Sequence, residues 1–231
     1  MIMINNFSDF QIHEICRKYG IKNYTINNGL VDVDGDVSLG NMNLTRLPLK
    51  FGKVTGDFNC SYNQLTSLEG SPDYVGGNFY CSYNQLTNLE DAPKQVGGFY
   101  CHSNKLTSLE GAPKQVGGFY CHNNQLTSLE GAPKEVDSHF YCNSNQLTTL
   151  EGAPKEVGGD FNCKYNKLIT LEGAPNKVDG GFYYKNNPLP EEILNFDDIK
   201  YIVKWQDEYN IWRNGNLDLF RFQELIKDYD K

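Results

Sequence analysis

Two histidines and six cysteines are the side chains of this sequence with the types and spacings that chemistry could use, because they recur at fixed intervals. His102 and His122 stand 20 residues apart. Six of the seven cysteines follow one another at intervals of 20 or 21 residues: Cys60, Cys81, Cys101, Cys121, Cys142 and Cys163. Imidazole and thiolate groups can bind zinc or serve as nucleophile and base. Recurrence at one interval indicates, however, a single structural position used in every turn of a repeat.

The repeat extends from residue 37 to residue 189. The string VGGFYCHSNKLTSLEGAPKQ, from Val96, aligns without a gap to VGGFYCHNNQLTSLEGAPKE, from Val116. An earlier, less regular turn has Met42 where the later turns have an asparagine. The asparagines are Asn63, Asn84, Asn104, Asn124, Asn145, Asn166 and Asn187.

The pattern resembles the leucine-rich-repeat consensus LxxLxLxxNxL. Its defining positions are occupied by Val96, Phe99, Cys101, Asn104 and Leu106. Strings such as NQLTSLEGAPK are also similar to those in the short-repeat proteins of bacteriophages and large DNA viruses. The resemblance implies an α/β solenoid. In this leucine-rich-repeat horseshoe, a parallel β-sheet lines the concave face and the convex side is irregular.

Alternation along the strand assigns the core. Phe99 and Cys101 point to one side and Tyr100 to the other, so stacked turns place phenylalanine and cysteine ladders inside. Adjacent strands lie ~4.8 Å apart with parallel side chains, whereas a disulfide needs Cβ atoms ~3.8 Å apart and converging. We therefore expect the cysteines to stay reduced and to fill space. Asn104 and its equivalents are expected inside, bonded to the backbone of adjacent turns.

Both ends are predicted to be caps, because an open solenoid exposes its core. Residues 1–36 should form a helix and a β-hairpin, with Ser8 to Gln11 as a capping box and Gly20 as the helix end. Residues 37–189 form the repeat array. Residues 190–231 should form a helical cap, in which Pro190 takes a first helical position and a last helix extends from Leu217 to Tyr229.

The outward strand positions are the candidate partner-binding site. Rigid tyrosines bury much area at little entropic cost, which favours them at interfaces. Stacked tyrosines can also stabilise a ladder by themselves, and this structural alternative stays open. The predicted binding residues on the concave face are Tyr80, Tyr100, Tyr120, Tyr141, Tyr183, His102, His122, Asn143, Lys164 and Lys185, with Trp205 and Trp212 as possible secondary contacts.

Catalysis and metal binding are disfavoured. Zinc takes four ligands, but the positions flanking the histidine pair are Ser82 and Asn143, and Cys101 and Cys121 face the opposite side. The sequence has no phosphate-binding loop and no nucleophile elbow. We therefore expect a protein that is not an enzyme and that needs no cofactor and no metal.

Charge limits the class of partner. The formal net charge is −8, which argues against a nucleic acid or an anionic membrane. The start MIMINNFSDF lacks the features of a secretory signal, so a soluble, cytoplasmic protein is expected. The predicted function is a protein-binding module, encoded by a phage or virus, that inhibits a host protein such as an antiviral defence factor. The alternative is a structural protein that self-assembles, as a homodimer or a virion component.

Overall fold

The computed structural model describes residues 7–229; the remaining residues of the two predicted caps, 1–6 and 230–231, lie outside this range. The chain folds into four helices and eighteen short strands within these residues. In order they are α1 Asp9–Tyr19, β1 Tyr24–Asn27, β2 Leu30–Val33, β3 Val37–Ser38, β4 Phe51–Val54, β5 Phe58–Asn59, β6 Tyr74–Val75, β7 Phe79–Tyr80, β8 Gly98–Tyr100, β9 Gln115–Val116, β10 Gly118–Tyr120, β11 Glu135–Val136, β12 Phe140–Tyr141, β13 Glu156–Val157, β14 Phe161–Asn162, β15 Lys177–Val178, β16 Phe182–Tyr183, α2 Glu191–Leu194, α3 Ile199–Tyr209, β17 Trp212–Arg213, β18 Asn216–Leu217 and α4 Leu219–Tyr229.

One strand from each turn enters an eight-stranded parallel sheet. Its order is β3-β5-β7-β8-β10-β12-β14-β16, so the strands of successive turns are neighbours in the sheet. The register aligns identical repeat positions: Phe99 pairs with Phe119, and Tyr100 with Tyr120. This confirms the predicted class, a parallel-strand solenoid with a leucine-rich-repeat-like architecture.

The core is a set of ladders that run from turn to turn. The inward phenylalanine rings stack on one another with centroids 5.2 to 5.6 Å apart from Phe58 to Phe182. The cysteines beside them are buried free thiols, as predicted.

The asparagine ladder satisfies backbone groups that the core would otherwise leave unpaired. Asn124 Nδ2 donates to the carbonyls of Cys101 (3.1 Å) and Cys121 (3.0 Å). Its Oδ1 accepts from the amide of Leu106 at 3.0 Å. Each such side chain therefore bonds two successive turns, which confirms the predicted interior position of these residues.

In most turns a second short parallel strand precedes the strand of the eight-stranded sheet. Strands β9, β11, β13 and β15 form a second parallel sheet, and β4 and β6 make a similar pairing near the N-terminus. Val116, Val136 and Val157 point into the core from this sheet. The repeat pattern does not predict β9, β11, β13 and β15, because each contains only two residues and offers no alternation to read.

The change between 20- and 21-residue turns has a structural cause. In most long turns the residue before the phenylalanine caps the next turn, as when Asp57 Oδ1 accepts from the amide of Asn78 at 2.7 Å. His139 Nδ1 takes the same role towards the amide of Asp160 at 3.0 Å. In the two short turns this position is Gly98 or Gly118, which belongs to the strand itself.

Both ends are built from helices and hairpins. The α1 capping box between Ser8 and Gln11 is present, and the helix ends at left-handed Gly20. Strands β1 and β2 form the predicted hairpin. Pro190 is the N-cap of a four-residue helix and lies outside the helix itself, which corrects its predicted position. The last helix starts at Leu219, two residues later than predicted, because Leu217 pairs with Trp212 in the β17–β18 hairpin.

Trp212 requires a correction. Its side chain is buried, and its Nε1 donates to Gln206 Oε1 at 2.7 Å. The ring therefore presents little surface to a partner, although the sequence predicted a possible secondary contact here. No helix within residues 7–229 is long and apolar enough to span a membrane.

Candidate functional site

The outer surface of the eight-stranded sheet, which we call the concave face, carries the predicted binding residues. Its first outward position forms the tyrosine column, whose members are Asn59, Tyr80, Tyr100, Tyr120, Tyr141, Asn162 and Tyr183. Tyr80 and Tyr100 stack at 4.6 Å, and Tyr100 and Tyr120 at 4.4 Å with rings nearly parallel at 6°. Tyr141 meets Tyr120 edge-on at 79°. Within the three-ring stack the ring faces contact each other, so ring edges and hydroxyl groups are presented to a partner.

Glycines set the orientation of these rings. A Cβ atom built on Gly118 would lie 3.0 Å from Cε2 of Tyr120, and one on Gly98 would lie 3.0 Å from Cε2 of Tyr100. The tyrosine of each short turn therefore lies over the glycine two residues before it. Larger residues at these two positions would push the rings away from the sheet.

The polar column lies two residues further along each strand. Its members are Ser61, Ser82, His102, His122, Asn143, Lys164 and Lys185. The two imidazoles stack at 4.3 Å with an interplanar angle of 10°. Ser61 and Ser82 are buried and hydrogen-bonded to each other at 3.2 Å.

The histidine pair is arranged to remain neutral. Burial lowers the pKa of His102. Burial, with a further contribution from His102, lowers the pKa of His122 to about 4. Nδ1 of His122 is buried and has no hydrogen-bond partner among the described residues. Both rings are therefore uncharged at neutral pH, and the concave face is neutral at its centre.

A third aromatic group was not predicted. The residue after the polar column adopts a left-handed conformation in every turn, including Tyr62 (φ 55°), Tyr83 (φ 54°) and Tyr165 (φ 56°). All three side chains are exposed. Tyr62 stacks on Tyr83 at 4.3 Å, and Tyr83 contacts His102 edge-on at 5.2 Å. The members of this left-handed column are Asn41, Tyr62, Tyr83, Ser103, Asn123, Ser144, Tyr165 and Asn186.

A sequence signal for this column exists. Asparagine adopts left-handed conformations more readily than most residues, and it occupies the column at 41, 123 and 186. The tyrosines thus take a backbone conformation that is unfavourable for them, at an exposed position. Strain of this kind is concentrated at functional sites.

The titratable groups of the face favour hydrogen bonding over nucleophilic chemistry. Burial raises the pKa of the Tyr100 and Tyr120 phenols, which keeps both hydroxyls protonated. Burial also raises the pKa of the Cys60 thiol to about 12 and that of Cys101 well above its usual range. Within residues 7–229, no group of three or more His, Cys, Asp or Glu side chains could hold a metal ion.

The remaining predicted residues lie at the C-terminal end of the face. Asn143 bonds Ser144 Oγ at 3.3 Å, and Lys164 Nζ lies 5.1 Å from the centroid of the Tyr183 ring. Lys185 is exposed in the next turn. Trp205 lies on α3, outside the eight-stranded sheet, and Lys204 Nζ lies 4.6 Å from the centroid of its ring.

No family model matches the chain, and no curated protein sequence matches it. The interpretation of the concave face therefore depends on its geometry and its chemistry.

Proposed function

We propose that this chain is a non-catalytic binding module that recognises a folded protein through its concave face. The observation that carries the proposal is the rigid aromatic surface formed by the stacked tyrosine column, the histidine pair, and Tyr62 and Tyr83. Preordered aromatic side chains lose little entropy on binding, and tyrosine is among the residues that dominate interface energies.

The chemistry of the same surface supports binding over catalysis. The buried thiols are protonated and the neutral imidazoles are stacked on each other. Neither arrangement provides the activated nucleophile and oriented base that covalent catalysis needs. What the face offers is a row of hydroxyl and imidazole donors and acceptors held at the spacing of the strands.

The partner and its setting follow from the repeat resemblance. The NQLTSLEGAPK strings are similar to those of phage and large-virus repeat proteins, and we propose that this chain is likewise viral. In that setting it acts in the host cytoplasm and inhibits a host protein, such as an enzyme or an antiviral defence factor. No cofactor is needed for this action, and neither a nucleic acid nor a membrane is the expected partner.

The test is affinity capture followed by a binding measurement. The tagged protein is incubated with bacterial host lysate beside the double variant Tyr100→Ala/Tyr120→Ala and a control, Lys114→Ala/Lys134→Ala, which changes exposed lysines before the second sheet. Calorimetry with the purified captured protein should show at least a tenfold loss of affinity for the tyrosine variant and less than a twofold change for the control. Unchanged affinity in a tyrosine variant that remains folded would contradict the concave-face assignment.

Self-assembly is a second candidate, favoured by apolar residues exposed at the two ends of the solenoid. Phe10 on α1 is 71% exposed, and Phe220 on α4 is 69% exposed. Exposed apolar side chains of this size can join copies of a chain into a dimer. Sedimentation in dilute solution distinguishes the candidates: a monomer argues against self-assembly, and a dimer lost on Phe220→Ser supports it.

A further inference from the structure

Acidic and basic side chains occupy different positions on the concave face. Asp57 and Asp160 stand two residues before the tyrosine column, and the Tyr141 hydroxyl donates to Asp160. Beyond the left-handed column lies a fourth outward position, the glutamine column: Gln64, Gln85, Lys105, Gln125, Gln146 and Lys167. The tyrosine, polar, left-handed and glutamine columns together contain no Asp or Glu. Their only residues charged at neutral pH are four lysines, although the whole chain has 29 acidic and 21 basic residues.

Three of these lysines gather at the C-terminal end. Lys164 and Lys185 each stand two residues beyond the end of adjacent strands, since Asn162 of β14 pairs with Tyr183 of β16. Lys167 lies in the same turn as Lys164. Among the described residues, none of these three lysines forms an ion pair with a carboxylate within 4.0 Å. Lys167 Nζ donates to Gln146 Oε1 at 3.3 Å, and Lys164 lies against the Tyr183 ring. Like charges in adjacent turns repel each other, so the arrangement costs folding energy.

A candidate counter-charge in the same turn is already engaged. Asp160 belongs to the same turn as Lys164, but its Oδ1 accepts from the amide of Gly181 at 2.7 Å and its Oδ2 accepts from the hydroxyl of Tyr141 at 3.4 Å. Exposed rings accompany the lysines: Tyr165 is 60% exposed and Tyr183 is 40% exposed. The end of the face is thus a basic patch with two aromatic side chains.

We infer that this basic patch, formed by Lys164, Lys167, Lys185, Tyr165 and Tyr183, binds an acidic segment of the protein partner. The inference rests on the proposed function and adds the chemistry and orientation of the partner. Carboxylates of the partner contact the lysines while its neutral surface covers the tyrosine column. A nucleic-acid strand fits less well, because it needs a continuous basic track and the centre of the face is neutral.

The test uses two probes of defined charge. Fluorescein-labelled hexaglutamate and a labelled six-residue oligothymidylate are titrated with the protein at low salt, and binding is followed by fluorescence anisotropy. Lys164→Glu/Lys185→Glu is compared with Lys114→Glu/Lys134→Glu, which makes the same change in net charge at lysines before the second sheet. We expect hexaglutamate to bind the unchanged protein, at least a tenfold loss in the first variant and less than a twofold loss in the second.

The other outcomes overturn the inference. Equal losses in both variants would mean that only net charge matters, and no detectable hexaglutamate binding would remove the site. Tighter binding of oligothymidylate would assign the patch to nucleic acid.

Tyr100→Ala/Tyr120→Ala should leave hexaglutamate binding unchanged. If that variant loses the captured partner while Lys164→Glu/Lys185→Glu retains it, the proposed function stands and the acidic-segment inference fails.

Discussion

The inward and outward residues of the strands in the eight-stranded sheet differ in how much they vary from turn to turn. Phe119 points inward and stacks on Phe99 and Phe140, at 5.6 Å each, in a ladder that keeps the same residue from Phe58 to Phe182. Its neighbour Tyr120 points outward in a column that also contains asparagine. Packing between turns fixes the inner residue because every turn must fit the next. The outer residue is free to vary, so specificity for a partner can be encoded there.

The strongest test of this contrast compares adjacent residues. Phe119→Ala should lower the free energy of unfolding by about 3–5 kcal/mol, because it leaves a cavity inside the ring ladder. Tyr120→Ala should cost only about 1 kcal/mol, since it removes an outward stacking partner. Urea unfolding followed by circular dichroism measures both. Equal costs would show that the outer stack is a structural element.

The asparagine ladder gives a second comparison. Asn124→Ala removes the acceptor of the Leu106 amide and the donor to three carbonyls, those of Cys101, Cys121 and His122. We expect a loss of roughly 3 kcal/mol from these unsatisfied groups. Gln125→Ala changes the next, exposed side chain and should remain within about 0.5 kcal/mol of the unchanged protein. Urea midpoints measure the difference, and a small effect at Asn124 would mean that water replaces the amide.

Sequence reasoning succeeds where one residue type has one structural role. Phe99, Cys101 and Asn104 each recur at one position, so the repeat interval and the two-residue alternation were enough to place them inside. Sequence reasoning fails where the position of a side chain depends on the local backbone conformation. Tyr83 was missed because nothing in an aromatic residue indicates a left-handed conformation, and Trp212 was misplaced because its burial depends on a six-residue hairpin. The residue types of the site can be read from the repeat, but the stacking of their rings depends on how the turns pack.

The glycines beneath the tyrosines test the orientation of the outer face. Gly118→Ala places a methyl group against the Tyr120 ring and should cost about 1–2 kcal/mol, with a matching loss of partner affinity. In a Tyr120→Ala background the same change should cost less than about 0.5 kcal/mol, because the ring that it meets is gone. This double-mutant cycle is measured by urea unfolding, and additive costs would show that Gly118 is needed for the backbone alone.

The last comparison concerns pH. Histidine in the unfolded chain titrates near pH 6.5, whereas burial lowers the pKa of His122 to about 4 in the folded protein. Between these values the unfolded state binds more protons, so stability is complete above pH 6.5 and falls as the pH drops towards 4. His102→Asn/His122→Asn should reduce the slope of the urea midpoint against pH across this window. Parallel curves for the two proteins would show that the pair does not titrate on unfolding.

The cysteine ladder has a consequence for how the solenoid opens. Six successive turns each contain one buried thiol, and those of Cys60, Cys81 and Cys142 donate to a carbonyl of the next turn at 3.3 to 3.4 Å. An alkylating reagent can reach such a thiol only when its own turn separates from its neighbours. Alkylation rates resolved by mass spectrometry would therefore give an opening free energy for each turn separately. The chain thus contains a built-in set of reporters that records, turn by turn, where unfolding begins.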